Sequence, residues 1–255
     1  MPTDSEIDLP GGQSLSEGLP LLHSGFPRAQ LVQAVLRERQ RWDQKMKRSR
    51  RELESYLDPL VARELYVPPK ESEALSSGAV EASGALLAGI ERARSKICQL
   101  MPEWQDYFSL PVRVMAAPRS YLGYSCLAEP QHIYLGSIEK QLGDEDLLLE
   151  SYLHEFAHLW LFFVQEIAPF QSAYVSETFT LPSGTKGRSL TQAIDAAFVA
   201  AVLRRYYIRL RNESREQVLS AYLGGCISTI RASAYFTPTG REAFLQLAEE
   251  LTADG

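Results

Sequence analysis

"LLLESYLHEFAHLWLFFVQEIAPF", residues 147–170, holds two of the four histidines one helical turn apart, with a glutamate beside the first. Leu153, Phe156, Ala157, Trp160, Leu161 and Phe163 make the stretch apolar nearly all round, the pattern of a buried helix. Asp144 can cap its N-terminus, and Pro169 stops it after about Ala168. Residues i and i+4 share one helical face roughly 6 Å apart, so His154 and His158 can each give one nitrogen to a single metal. Glu155 points about 100° away from His154, where a carboxylate can take a proton from bound water. Two histidines on a buried helix need polar partners, and a metal supplies one.

A third protein ligand must come from elsewhere. His23 lies near the N-terminus, and His132 opens a strand, where a surface or outer-shell role is the ordinary one. Glu177 follows His158 by 19 positions (177 − 158), the spacing of thermolysin-like zinc peptidases, but Pro182 and Gly184 break any helix there. Asp195 lies in "RSLTQAIDAAFVAAVLRRYY", among Ala, Ile, Val and Phe. A carboxylate on such a face is costly unless it is paired or metal-bound. Asp195 is thus the first choice of ligand and Glu177 the second, with a structural ion pair as the remaining reading. Two histidines and a carboxylate with open positions form the facial triad of non-haem iron(II) oxygenases. Peptidases hold zinc with the same set, so ligand identity does not choose between oxidation and hydrolysis.

Outward from this helix the pattern is α+β, mostly helical, with a small sheet preceding the HExxH helix in a zincin-like arrangement. "LPVRVMA" (110–116) and "HIYLG" (132–136) read as strands. Helices are expected over about 28–56, 83–100, 190–210, 214–235 and 239–251. Three regions follow: a flexible leader (1–25), an N-terminal helical region (26–108) and a metal-binding catalytic region (109–255). The first helix carries Leu31, Val35, Trp42, Met46 and Leu53 near one face and the basic run "RERQRWDQKMKRSRRE" on the other. That run reads as a solvated face or as a dock for an acidic partner. A net charge of −6, from 26 basic and 32 acidic residues, argues against nucleic-acid binding. The first twenty residues lack a signal peptide's basic and apolar segments, and no apolar run reaches membrane-spanning length. Three scattered cysteines, Cys98, Cys126 and Cys226, suggest reduced thiols and a cytoplasmic location.

From about Glu129 to Leu251 the chain resembles the 2-oxoglutarate-dependent HExxH-type peptide β-hydroxylases, a family of bacterial peptide-modifying proteins. The matching elements are the strand "EPQHIYLGS", "LHEFAH" on a long helix, "GTKGRSL", "AIDAAF" and a late "FTPTGREAF". The family usually has histidine where this chain has Asp195. The resemblance implies iron(II), 2-oxoglutarate and dioxygen, acting on the β-carbon of a peptide side chain, for example in a ribosomal precursor peptide. His154, His158 and Asp195 would hold the metal. Arg188, or else Arg231, would take the distal carboxylate of 2-oxoglutarate, because the guanidinium fork suits a carboxylate. Glu155 would orient water or a ligand, and Tyr121 and Tyr124 could line a peptide groove. The competing reading is a zinc metallopeptidase with Glu155 as general base. Aspartate-ligand peptidases carry Gly-Thr-x-x-x-Tyr-Gly; "SGTKGRSLTQAID" has the Gly-Thr and lacks the Tyr-Gly. A non-catalytic peptide binder is disfavoured by the intact HExxH.

Overall fold

In a computed structural model of the chain, which describes residues 18–45, 78–118, 121–125, 131–171 and 177–253, the HExxH stretch forms one long central helix. In chain order the elements are α1 (Arg28–Lys45), β1 (Val80–Glu81), α2 (Gly84–Leu100), a 3₁₀ segment (Pro102–Ser109), β2 (Arg113–Ala116), β3 (Gly123–Tyr124) and β4 (His132–Leu135). Then follow α3 (Ile138–Leu142), α4 (Glu145–Ile167), α5 (Leu190–Arg209), α6 (Glu213–Ile230) and α7 (Pro238–Thr252). The architecture is α+β and mostly helical, with one small mixed sheet.

The expected Asp144 cap is in place, and a second cap adds to it. The Asp144 carboxylate accepts from the backbone N–H groups of Asp146 and Leu147 at the start of α4. Ser189 and Gln192 close a reciprocal capping box at the start of α5. Nearly the whole of α4 is buried, from Leu148 to Ile167, as its all-round apolar pattern requires. The same holds for α5, whose Ala193, Ile194, Ala197, Phe198, Ala201 and Val202 are fully enclosed.

The sheet order is β1-β2-β4-β3. β2 and β4 are parallel, while β1 and β3 are antiparallel to their neighbours and form the two edges. β3 and β4 lie against α4. The buried amide of Gln141, on α3, donates to the carbonyls of Leu122 (2.6 Å) and Gly136 (2.7 Å), fastening the start of β3 to the end of β4. β1 and β3 have two residues each, too few for period-two alternation to appear in the sequence. β1 also carries the sheet back across residue 108, into what was expected to be a purely helical N-terminal region.

Three expectations change. Residues 18–25 are not a flexible leader: Leu19, Leu21 and Leu22 are each at most 3% exposed, and the Trp104 indole donates to the Leu21 carbonyl at 2.8 Å. The apolar content of "LPLLHSGF" brings this segment into the core. α6 ends at Ile230, short of Tyr235, because Ser233 engages its surroundings instead. The Ser233 hydroxyl accepts from the Tyr235 N–H and donates to Glu177. The first helix is described only to Lys45, so Met46, Leu53 and the rest of its basic run lie outside the described residues.

Within that limit α1 is part of the domain. Leu31 and Val35 are buried, and α1 packs on α4. The Arg39 guanidinium donates to both Glu166 carboxylate oxygens, at 2.7 and 2.5 Å, with the two side chains only 5% and 3% exposed. Burial raises the Glu166 pKa, and the Arg39 hydrogen bond opposes that rise. Arg39→Ala would strand a buried carboxylate. Chemical denaturation should show a loss of about 3 kcal/mol, and an Arg39→Met/Glu166→Leu double variant should recover most of it. Equal losses in the single and double variants would refute this account.

Candidate metal site

His154 and His158 project from one face of α4, their ring centroids 5.1 Å apart and their planes at 64°. Both rings are half-buried. Burial holds the His154 imidazole down, to about 4, against the opposing field of Glu150. The ring is therefore neutral at pH 7, although 45% of the side chain still reaches solvent. His158 is lowered well below its ordinary value, first by burial, then by His154 and by the Arg188 guanidinium. The His158 Nδ1 is buried and has no hydrogen-bond partner among the described residues. Two neutral imidazoles one turn apart are the donors that a divalent metal needs.

Glu155 turns away from the pair and under the sheet. It is 4% exposed, and its Oε2 accepts from the Ser125 hydroxyl at 2.8 Å. Its Oε1 stands 4.0 Å from His154 Nε2. Burial pushes its carboxyl up to about 8, with the Ser125 hydrogen bond pulling the other way. Gly123 lies directly over this carboxylate: a Cβ there would come within 2.5 Å of Oε1.

Asp195 is buried on α5, as its apolar surroundings predicted, and burial pushes its carboxyl up to about 7. Its partner, however, is Gln165, whose amide donates to Oδ1. Gln165 follows His158 by seven residues, two turns along the same face and roughly 10 Å along the axis. At the other end of the interface the Tyr207 hydroxyl donates to Glu150 at 2.6 Å. These two contacts run α5 antiparallel to α4, with the buried apolar side chains of Phe198 to Leu203 between them. The helix register therefore sets Asp195 level with Gln165. Among the described residues no three His, Cys, Asp or Glu side chains form a metal-sized cluster.

The other candidates fall as follows. The Glu177 carboxylate is engaged by Ser233 at 2.8 Å, at the α6–α7 connection. Arg188 is partly buried, its backbone bridged to Phe179 (N–H to O, 3.1 Å), with the turn at Gly184 between them. Its guanidinium makes no ion pair among the described residues, yet its field reaches His158. Arg231 is exposed at the C-terminal end of α6, where its backbone N–H donates to the Ile227 carbonyl. His132 stacks beside Tyr134 on β4, and the His23 Nδ1 accepts from the Leu19 N–H. Tyr124 is on β3, the strand that covers Glu155, and Tyr121 precedes it; both are partly buried. Cys98 and Cys226 are free thiols, and Cys126 lies outside the described residues.

Three functional neighbours escaped the sequence. Glu150 could have been found, since it sits one turn before His154 on the same face. Ser125 and Gln165 could not, because their partners are 30 residues away in sequence. No family model matches the chain, and no curated protein matches it. No helix among the described residues is long and apolar enough to cross a membrane.

Proposed function

We propose that the chain is a mononuclear iron(II)- and 2-oxoglutarate-dependent oxygenase that hydroxylates a peptide side chain at its β-carbon, in the cytoplasm, during maturation of a peptide product. The observation that carries this reading is Arg188, a partly buried cation beside His158 with no carboxylate partner among the described residues. A cation left unpaired next to a metal-binding face is a receptor for an anionic co-ligand. The sheet laid over a buried HExxH helix supports the zincin-like arrangement that such a site uses.

The donors fit a metal at two positions. His154 and His158 are neutral and one turn apart, and the His158 Nδ1 lacks any other partner among the described residues. Asp195, level with Gln165 two turns further along, would complete the set only after α5 shifts along α4 towards His158. Iron with 2-oxoglutarate would supply the oxidation, dioxygen giving one oxygen to the substrate carbon and the other to the succinate formed as 2-oxoglutarate loses its C1 carboxylate as carbon dioxide. The protein's own part is to hold the metal, to bind the distal carboxylate through Arg188 and to keep water from the site with the apolar walls of α4 and α5.

A zinc metallopeptidase is the second reading, and Glu155 favours it. Its carboxyl sits beside His154, with Oε1 4.0 Å from Nε2, where it can take a proton from metal-bound water.

Metal analysis of anaerobically purified protein separates the two, as does succinate release that depends on iron, dioxygen and a peptide. Arg188→Ala should raise the 2-oxoglutarate requirement roughly ten- to a hundredfold, the worth of a charge-assisted hydrogen-bonded pair, and leave the metal in place. Zinc-dependent cleavage without succinate would establish the peptidase. An unchanged response in Arg188→Ala with loss in Arg231→Ala would move the cosubstrate contact to α6.

A further inference from the structure

We infer that the edge strand β3 is a positioning device for Glu155, in which Ser125 and the bare Cα of Gly123 fix the direction of its carboxylate. The inference rests on the reading of His154 and His158 as metal ligands, and goes beyond it to residues outside the motif.

Three contacts define the device. The Ser125 hydroxyl donates to Glu155 Oε2 at 2.8 Å. Gly123 leaves room for Oε1, which any side chain there would strike: a Cβ would lie 2.5 Å from Oε1, 2.7 Å from Cγ and 2.9 Å from Cδ. The strand is itself held at both ends of its short ladder. Gly123 and Tyr124 pair with Leu135 and Tyr134 on β4, and Gln141 ties the Leu122 carbonyl to the Gly136 carbonyl. A two-residue strand has little pairing of its own, so the Gln141 amide supplies what the ladder lacks.

The consequence falls on His154. With Ser125 on one oxygen, the other stands 4.0 Å from His154 Nε2. No other carboxylate among the described residues lies within ion-pair distance of that ring. A carboxyl oxygen held this close to a ligating nitrogen orients that ring and so tunes any metal held there. Turning the carboxylate by one rotamer would take that oxygen away. Ser125 is thus a positioning residue, acting through Glu155, and Gly123 is the space that permits the position.

The test is cobalt(II) binding to purified full-length protein, followed by the visible spectrum of the bound ion and by its affinity. Ser125→Ala should bind cobalt roughly tenfold more weakly, the usual cost of losing a group that orients a metal site, with an altered spectrum. Ser125→Thr, which keeps the hydroxyl, should restore both. In a Glu155→Gln background Ser125→Ala should add little, since the coupling runs through that carboxylate. Gly123→Ala should reproduce the spectral change; if it does not fold, the serine pair still decides, with circular dichroism checking that those variants are native. Cobalt affinity and spectrum unchanged in Ser125→Ala would overturn the positioning role while leaving the metal site standing. A wild-type protein that binds no cobalt would overturn both.

Discussion

Glu155→Gln should make the metal-free protein more stable at neutral and alkaline pH. The Glu155 carboxyl is 4% exposed and its pKa is pushed up from 4.5 to about 8, chiefly by burial. A carboxyl whose folded pKa lies above its unfolded value binds its proton more tightly when folded. It costs nothing below pH 4.5, costs progressively more as pH rises to 8, and carries its full penalty above that. At about 1.36 kcal/mol per pKa unit, the full penalty is roughly 3–5 kcal/mol. Glutamine carries no such penalty and can still accept from Ser125. Wild type and variant should therefore unfold alike in denaturant at pH 4 and diverge steadily towards pH 9. Asp195, pushed up to about 7, tilts both proteins in the same direction, so the difference between them isolates Glu155. Parallel stability curves across that range would mean that the carboxylate is solvated in the folded protein. The same variant bears on the chemistry. In hydrolysis this carboxylate moves the proton, so its amide should be almost inactive. In oxygen activation the iron and cosubstrate carry the reaction, so part of the activity should remain.

What could be read without coordinates follows from how far each interaction reaches along the chain. α4 was legible because Asp144, the apolar circumference and Pro169 all act within one helix, and its ends fall where they predict. α5 was legible for the same reason, through its run of Ala, Ile, Val and Phe. The meeting of His154 and His158 needs only helical periodicity. By contrast, Ser125 reaches Glu155, and Gln165 reaches Asp195, across turns and helix crossings that no local pattern encodes. Asp195 shows where the boundary falls. A carboxylate on an apolar face needed a buried partner, and burial is what the structure shows. Which partner it takes depends on the sliding register of α5 along α4, a quantity set by packing over the whole interface. Arg188 was legible as a candidate from its place before α5. Its electrostatic reach to His158 belongs to the fold of the turn at Gly184.

Asp195→Ala should cost the protein its metal. If structural zinc is worth about 10–16 kcal/mol over four ligands, one ligand is worth on the order of 3 kcal/mol, or at least about a hundredfold in affinity. The hydrogen bond from Gln165 makes the outcome informative, because the amide and a metal would compete for the same carboxylate. If Asp195 is the third ligand, Gln165→Ala frees it and should bind metal at least as tightly as the wild type. The metal-free protein should meanwhile be less stable, with a buried carboxylate left unpaired. If Asp195 is only the partner of Gln165, the two substitutions should behave alike. Each would lower stability by a few kcal/mol, as losing one side of a buried polar pair does, and neither would change metal content. Glu177 supplies the control. Its carboxylate is committed to Ser233, at the connection between α6 and α7, so Glu177→Ala should leave metal binding intact. Metal retained in Asp195→Ala and lost in Glu177→Ala would reverse the assignment and shift the chemistry towards hydrolysis. The comparison needs no substrate, only metal content measured on three folded variants, and it reads the ligand set before any turnover assay is attempted.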